Sequence, residues 1–501
     1  MPSRPQTLSP LQRQSVLTTL RSPRRTSVEL LAGLVTSLAL IPEATAFAIV
    51  TGLDPRMGLF GAVIVALITA VLGGRPAMVS AAAGSVALVA APLVLTHGVQ
   101  YYLAAVILSG IVQVLLAVVG AARLMRFIPR SVMKGFVNAL AILIFTSQLP
   151  ELLGVPWLVY PLVALGLAIV FLVPRLTTAV PAPLVAIVVV TLVAVLAGAR
   201  IPTVGDRGEL PEALPVPGLP DVALSLDTLA IVAPYALAMA LVGLVESLLT
   251  AKLVDDLTDT HSDKTRESWA LGVANTVAGL FGCMGGCAMI GQTMINVKSG
   301  GGRTRISAFA AGAFVLLLAV TLNDVVAAIP MAALVAVMVY ISFTTFDWRS
   351  IGLGALRRIP RSENLIMVAT VLVTVLTHNL ALGVVVGTVG AMIAFARRVA
   401  GFTRVERTLE HDAAGAPSTA RYRVRGELFF ASSNDLYYRF DYAGDPPRVV
   451  IDFSEAHVWD ASTVAALDSV LAKYGRGGHD VEVTGLNDAS ATMYRRMTGT
   501  L

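Results

Sequence analysis

Residues 30–51 read LLAGLVTSLALIPEATAFAIVT, an apolar run long enough to cross a bilayer and interrupted by one ionisable side chain, Glu43. A charge at bilayer depth costs roughly 2.5–3.5 kcal/mol on insertion scales, so such a residue faces a polar cavity or a partner. Only one other carboxylate in the first 400 residues lies well inside an apolar run: Glu246, within 228–251. Each of these glutamates sits in a segment that opens half of the membrane region, which suggests a transporter built on a duplicated unit. The bland alternative is a buried glutamate satisfied by backbone donors.

Composition supports the membrane assignment. Of 501 residues, 56% are hydrophobic and 14% charged, with a mean hydropathy of +0.76, outside the range of soluble domains. The N-terminus is polar and basic (Arg4, Arg13, Arg21, Arg24, Arg25), and the first apolar run is a full span. No cleavable signal is therefore expected, and the N-terminus is placed in the cytoplasm. Cys283 and Cys287, the only two cysteines, share one apolar stretch and read as small packing residues. Neither a disulfide framework nor a thiolate metal cluster is supported.

Fourteen apolar segments are placed near 30–51, 57–73, 77–95, 101–120, 135–149, 157–173, 181–197, 228–251, 269–282, 284–297, 306–322, 327–345, 364–380 and 381–396. With an inside N-terminus and fourteen crossings, 25 Lys and Arg residues fall on the cytoplasmic side, against Arg56, Arg200 and Arg207 outside. That asymmetry is what the positive-inside rule requires, and an error of one span in the first half would largely invert it. The net charge of +5 thus reflects topology and gives no reason to expect nucleic acid as a partner.

The domain reading follows. Residues 1–25 form a cytoplasmic arm, and 26–400 the membrane region, with repeat one at 26–199, a linker at 200–224 and repeat two at 225–400. The linker, IPTVGDRGELPEALPVPGLPD over 201–221, is rich in proline, glycine and acid. Ala77-Met78-Val79-Ser80 echoes Ala288-Met289-Ile290-Gly291, and seven spans between the copies invert the second. Both segments start badly as helices, after Gly73-Gly74-Arg75-Pro76 and Gly282-Cys283-Met284-Gly285-Gly286. Extended backbone followed by a half-helix is expected, exposing a helix start that attracts anions without a fixed cation. The alternative is that the glycines, in a GxxxG spacing, only let helices approach.

Taken together, Glu29-Leu-Leu-Ala-Gly-Leu-Val, Ile41-Pro42-Glu43-Ala44, Gly52-Leu-Asp-Pro-Arg-Met-Gly58, Gly243-Leu-Val-Glu246-Ser247, Asp255-Asp256-Leu-Thr-Asp259, Gly285 to Gln292 and Ser299 to Thr304 resemble the SulP family of anion transporters. The resemblance runs from about residue 25 to 500. It implies a multi-pass α-helical membrane protein of seven plus seven inverted spans, shared with uracil-permease-like transporters. Spans 1 to 4 and 8 to 11 would form a core and spans 5 to 7 and 12 to 14 a gate. Substrate would lie between broken spans 3 and 10, at Ser80, Ala81, Ser85, Ile290, Gly291, Gln292 and Thr293.

The last 95 residues are polar again. Arg448 to Ser454 reads as a buried strand ending in a polar loop, Asp460-Ala-Ser462 opens a capped helix, and Val481 to Gly485 supplies another strand. This resembles the cytoplasmic α/β STAS domain of the family, placed at 408–501. Ser462 matches the phosphorylated serine of anti-sigma-antagonist relatives, although Asp460 and Ser462 also suit a simple helix cap. Gly300 to Thr304 lacks the lysine and spacing of a phosphate loop, and no enzyme motif is present.

Gln292 departs from the arginine that many family members carry at this point. Without it, an anion must be held by helix dipoles and polar groups, and two glutamates would repel it unless protonated. Glu43 and Glu246 are therefore expected to couple transport to protons or to organise the broken spans, while His378 reads as interfacial. The expected activity is secondary active transport of a small inorganic or organic anion across the bacterial cytoplasmic membrane, proton-coupled, with both termini cytoplasmic. A dicarboxylate is preferred over sulfate or bicarbonate. The alternatives are an uncoupled exchanger or channel of the same fold, or a membrane-anchored STAS regulator. The expected partners are the anion, protons and the lipid bilayer, with a homodimer and a cytoplasmic protein bound to the STAS domain also allowed. No cofactor and no metal are expected.

Overall fold

The computed structural model describes residues 15–120, 129–176, 181–207, 214–223, 225–321, 323–377, 379–413 and 415–498. Arg4, Arg13, Arg123, Arg126 and His378 lie outside the described residues. Contacts divide the chain into two compact units, 1–388 and 389–501.

In the membrane region the chain forms α1 (Pro23–Thr51), α2 (Pro55–Leu72), β1 (Ser80–Ala82), α3 (Gly84–His97), α4 (Val99–Val118), α5 (Arg130–Gln148), α6 (Val159–Leu176) and α7 (Ala182–Leu196). After the linker come α8 (Leu226–Thr258), α9 (Lys264–Leu280), β2 (Gly286–Ala288), α10 (Ile290–Met294) and α11 (Arg305–Thr321), then α12 (Met331–Thr345), α13 (Arg361–Thr377) and α14 (Leu380–Ala400). Local signals set several boundaries. Pro23 and Pro55 open α1 and α2, where a missing N–H is harmless. Ser225 and Asp263 cap α8 and α9 by accepting from Thr228 N and Arg266 N. Every apolar segment read from the sequence has an element of its own. Among the described residues, seven helices are long and apolar enough to cross a membrane.

The broken segments meet each other. β1 and β2 pair antiparallel, with Ser80 opposite Ala288, Ala81 opposite Cys287 and Ala82 opposite Gly286. Helices start just beyond, at Gly84 and Ile290, and α10 continues as a π turn over Ile295–Ser299. This corrects the register of the repeat. The motif match aligns Ala77 with Ala288, but the strands and helix starts align Ser80 with Gly286 and Gly84 with Ile290. Short runs of small apolar residues carry too little information to fix a register, whereas backbone pairing fixes it residue by residue.

Helices α1 to α4 and α8 to α11 pack mainly among themselves, as do α5, α6, α7, α12 and α13, with α12 and α7 touching α1 across the divide. These match the two groups that the resemblance implies, apart from α14, which is not among the elements packed in the second. At one end of the first group, Arg75 lies buried between α2 and β1. It is ion-paired with Asp255 of α8 at 3.0 Å and bonded to Thr258 and Thr260. Two further carboxylates are buried at helix ends that the sequence did not mark. Glu29 accepts from the backbone N–H groups of Arg303, Thr304 and Ser307, and Glu267 from those of Gly74 and Arg75.

The second unit contains β3 (Arg404–His411), β4 (Pro417–Leu428), α15 (Phe430–Tyr437), β5 (Arg448–Val458), α16 (Ala461–Arg476), β6 (Asp480–Thr484) and α17 (Asp488–Thr498). Its sheet runs β3-β4-β5-β6, with β3 antiparallel to β4 and the other neighbours parallel. Two expectations need correction. The sheet begins at Arg404, ahead of residue 408, and β5 does not end in a polar loop at Ser454. It continues to Val458, because Glu455 to Val458 still pair with β4. Asp445, buried, accepts from Tyr422 Oη (2.6 Å) and Arg407 Nε (2.7 Å), tying β3 and β4 to the segment before β5.

Candidate functional site

A cavity of about 320 Å³ lies between the two groups of membrane helices. Glu43 and Phe47 of α1, Ser85 of α3, Glu246 of α8 and Ile290 to Gln292 of α10 line one wall. Phe136 and Leu140 of α5, Pro183 of α7, and Tyr340 and Thr344 of α12 line the other. The cavity reaches Pro174 and Pro181, where α6 and α7 adjoin, and Thr345 at the end of α12. Among the described residues, no lysine, arginine or histidine lines it.

The first turns of α3 and α10 contribute backbone to this cavity through Gly84, Ser85, Ile290 and Gly291. The first N–H groups of a helix have no partner inside it, so they are available to an acceptor in the cavity and carry the positive end of the peptide dipoles. β1 and β2 hold these starts in place. Gly286 sits so close to its partner strand that a Cβ there would meet Ala81 O at 1.9 Å, and any larger residue would open the crossing.

Each glutamate bonds across to the opposite repeat. Glu43, from α1, accepts from Gln292 Nε2 of α10, 249 residues away. Glu246, from α8, accepts from Ser85 Oγ of α3, 161 residues away, and from Cys287 Sγ of β2 at 3.2 Å. All three partner side chains are buried. The carboxylates therefore do more than border the cavity, because each joins a long helix of one repeat to a broken segment of the other.

Ser85, Ile290, Gly291 and Gln292 line the cavity, as do Glu43 and Glu246. Ser80, Ala81 and Thr293 do not. Ser80 and Ala81 belong to the β1–β2 pairing, and Thr293 Oγ1 accepts from Val79 N (3.0 Å) and donates to Val79 O (3.3 Å), splinting the strand entry. These three are scaffold for the neighbours that face the cavity. Ser462 sits in the first turn of α16, exposed, while Asp460 caps that helix by accepting from Thr463 N at 3.0 Å.

Several residues of the site, in the cavity lining or bonded to it, escaped the sequence reading. Cys287 was taken for packing, yet its thiol donates to Glu246. Phe136, Leu140 and Tyr340 lie in apolar runs where nothing separates a cavity-facing side chain from a lipid-facing one. Among the described residues, no cluster of three or more His, Cys, Asp or Glu side chains is placed to hold a metal.

Comparison with known proteins agrees with this architecture. The Sulfate permease family model matches residues 27–165 and 156–370, and the STAS domain model matches 411–499. The "Putative sulfate transporter YbaR" of Bacillus subtilis is 50% identical over 469 residues, which is 94% of this chain and 96% of that one. The bicarbonate transporter BicA of Picosynechococcus is 24% identical, covering 88% of this chain and 86% of its own. Among solved structures, SLC26A9 superposes with a TM-score of 0.78 at 17% identity, covering 97% of this chain and 88% of that one. The transmembrane domain of a cyanobacterial BicA gives 0.64 at 24% identity, over 73% of this chain and 98% of that domain. The chain is a multi-pass membrane protein that belongs to the sulfate permease family and carries a STAS domain at its C-terminal end.

Proposed function

We propose that this protein is a secondary active transporter that moves a small anion, coupled to protons, across the bacterial cytoplasmic membrane. Dicarboxylates are preferred over sulfate and bicarbonate, the anions named for its relatives. The observation that carries this reading is the cavity itself, which offers two helix starts and two carboxylates and, among the described residues, no basic side chain. A strongly hydrated dianion such as sulfate would lose its water there without gaining a fixed cation. A carboxylate can arrive or become protonated, and its carbon skeleton suits the apolar wall of Phe47, Phe136 and Leu140.

The glutamates supply a coupling route. A charged Glu246 accepts from both Ser85 and Cys287. Both donors share one carboxylate oxygen, Oε2, so a proton placed on that oxygen turns it into a donor and rearranges the tie between α3 and β2. Proton uptake also removes a negative charge beside the anion site. Alternating access then follows from movement of the α1–α4 and α8–α11 group against the other helices, with fourteen crossings and both termini in the cytoplasm. The exposed Ser462, at a helix start, suits phosphorylation or a partner protein of the STAS domain.

Proteoliposome uptake of labelled sulfate, bicarbonate and succinate, with and without an inward proton gradient, tests the proposal. Succinate should accumulate above equilibrium only with the gradient. Gradient-independent equilibration of all three would identify an uncoupled exchanger or channel.

A further inference from the structure

Behind the cavity wall, the broken segment β2 is held by side chains from distant parts of the sequence that do not line the cavity. Asn275 of α9 accepts from Gly286 N at 2.8 Å and donates back to Gly286 O at 3.1 Å. One amide thus satisfies both backbone groups of the residue that opens β2, as a neighbouring strand would. Its second N–H donates to Gln113 Oε1 of α4 at 2.9 Å, and Gln113 Nε2 donates to Ala240 O of α8 at 3.3 Å. Asn275 and Gln113 are both buried, at 1% and 0% exposed, so water does not substitute for these bonds.

The fold places this pair with care. α4 and α9 cross at Gly110 and Gly272, where a Cβ on either glycine would stand 2.5 or 2.6 Å from the other's carbonyl oxygen. Gln113 and Asn275 lie three residues beyond those glycines on the same helix faces, within reach of one another. A third close approach completes the arrangement, since a Cβ on Gly243 of α8 would meet Gln113 Nε2 at 2.9 Å. The bonds then run from Gln113 through Asn275 to Gly286, whose neighbour Cys287 donates to Glu246.

We infer that Gln113 and Asn275 are positioning residues for transport, fixing β2 so that the start of α10 and the Cys287 donor to Glu246 keep their places at the anion site. The inference rests on the anion-site reading given above. An apolar residue at 275 leaves the N–H and C=O of Gly286 buried and unpaired, and the segment relieves that by moving. The substrate-facing backbone moves with it, although neither amide meets the substrate.

The test compares Asn275→Leu with Asn138→Leu in full-length protein reconstituted for gradient-driven succinate uptake. Asn138 is an equally buried amide in α5, bonded to Ser350 Oγ and Asp347 N at 2.8 Å each. Both variants should lower the thermal midpoint. Only Asn275→Leu should raise the half-saturating succinate concentration, by tenfold or more, with a smaller change in maximal rate. Gly243→Val, which crowds Gln113, should act in the same direction, and with Gln113→Leu it carries the comparison if Asn275→Leu does not fold. A wild-type half-saturation in folded Asn275→Leu, or in the substitutes, overturns the inference. If Ser85→Ala raises that value while the positioning variants do not, the anion site stands and the positioning role falls. If Ser85→Ala and Gln292→Leu also leave it unchanged, the anion-site reading falls as well.

Discussion

Among the described residues of the membrane region four glutamates are buried, and they divide into two pairs by what they hold. At the helix ends, Glu29 and Glu267 accept from backbone N–H groups of the segments entering α11 and β1. In the cavity wall, Glu43 and Glu246 accept from side chains: the Gln292 amide, the Ser85 hydroxyl and the Cys287 thiol. A backbone N–H cannot rotate away or exchange donor for acceptor, so the first pair works as fixed staples. Hydroxyls, thiols and carboxyls can do both, and the Gln292 amide can rotate away, so the second pair is suited to rearrangement. Burial alone does not separate these roles. The chemistry of the partner does.

The largest expected effect breaks the switching pair. Glu246→Gln keeps volume and hydrogen bonding but cannot titrate, so gradient-driven accumulation in proteoliposomes should be abolished while the protein remains folded. Glu43→Gln should impair uptake to a lesser degree. Unchanged pH-dependent accumulation by Glu246→Gln would remove this glutamate from coupling and erase the distinction between the pairs.

Breaking a staple should instead appear as instability. Glu267→Ala strands the N–H groups of Gly74 and Arg75 in a buried site, a loss on the order of 2–4 kcal/mol. Its thermal midpoint in detergent should fall, while the half-saturating succinate concentration of the folded fraction stays near wild type. A large affinity change with normal stability would place Glu267 with the switching pair.

Gln292→Arg sharpens the comparison from the other side, by placing a cation beside Glu43 in the cavity. Relative uptake of sulfate over monovalent anions should rise about tenfold, equivalent to ~1.4 kcal/mol. Identical relative uptake by well-folded Gln292→Arg would move the anion site elsewhere.

The smallest effect is expected where the same staple chemistry occurs in water. Asp206, exposed in the linker, accepts from Thr203 N (2.8 Å) and Thr203 Oγ1 (2.9 Å), and these bonds hold its carboxyl below the usual range. A lowered folded pKa contributes stability that is present above the unfolded value and lost as pH falls through the folded one, here below about pH 4. Thr203→Val should therefore shift acid unfolding only slightly. A loss comparable with that of Glu267→Ala would mean that burial is not what makes the staples strong.

How far the site could be read from sequence depended on the reach of each signal. Glu43 and Glu246 were legible because a lone carboxylate in an apolar run conflicts with its surroundings. The break before each half-helix was legible from Gly73 to Pro76 and Gly282 to Gly286, since clustered glycines and a proline disfavour a helix there. Glu29 and Glu267 were missed because they stand at the edges of their apolar runs, where a charge raises no conflict. Asn275 and Gln113 were missed because an amide in a membrane helix does not announce its partner.

The sequence by itself determined the membrane setting, the fourteen apolar segments, the polar C-terminal domain and the family, because hydrophobic burial and local turn chemistry act over short stretches of chain. Tertiary structure alone decided the rest. It paired Glu43 with Gln292 and Glu246 with Ser85 across the two repeats, aligned Gly84 with Ile290, and turned Ser80, Ala81 and Thr293 away from the cavity. Those choices depend on which groups stand within about 3 Å after the chain has crossed and recrossed the bundle, and hydrogen-bond geometry at that range leaves no trace in local composition.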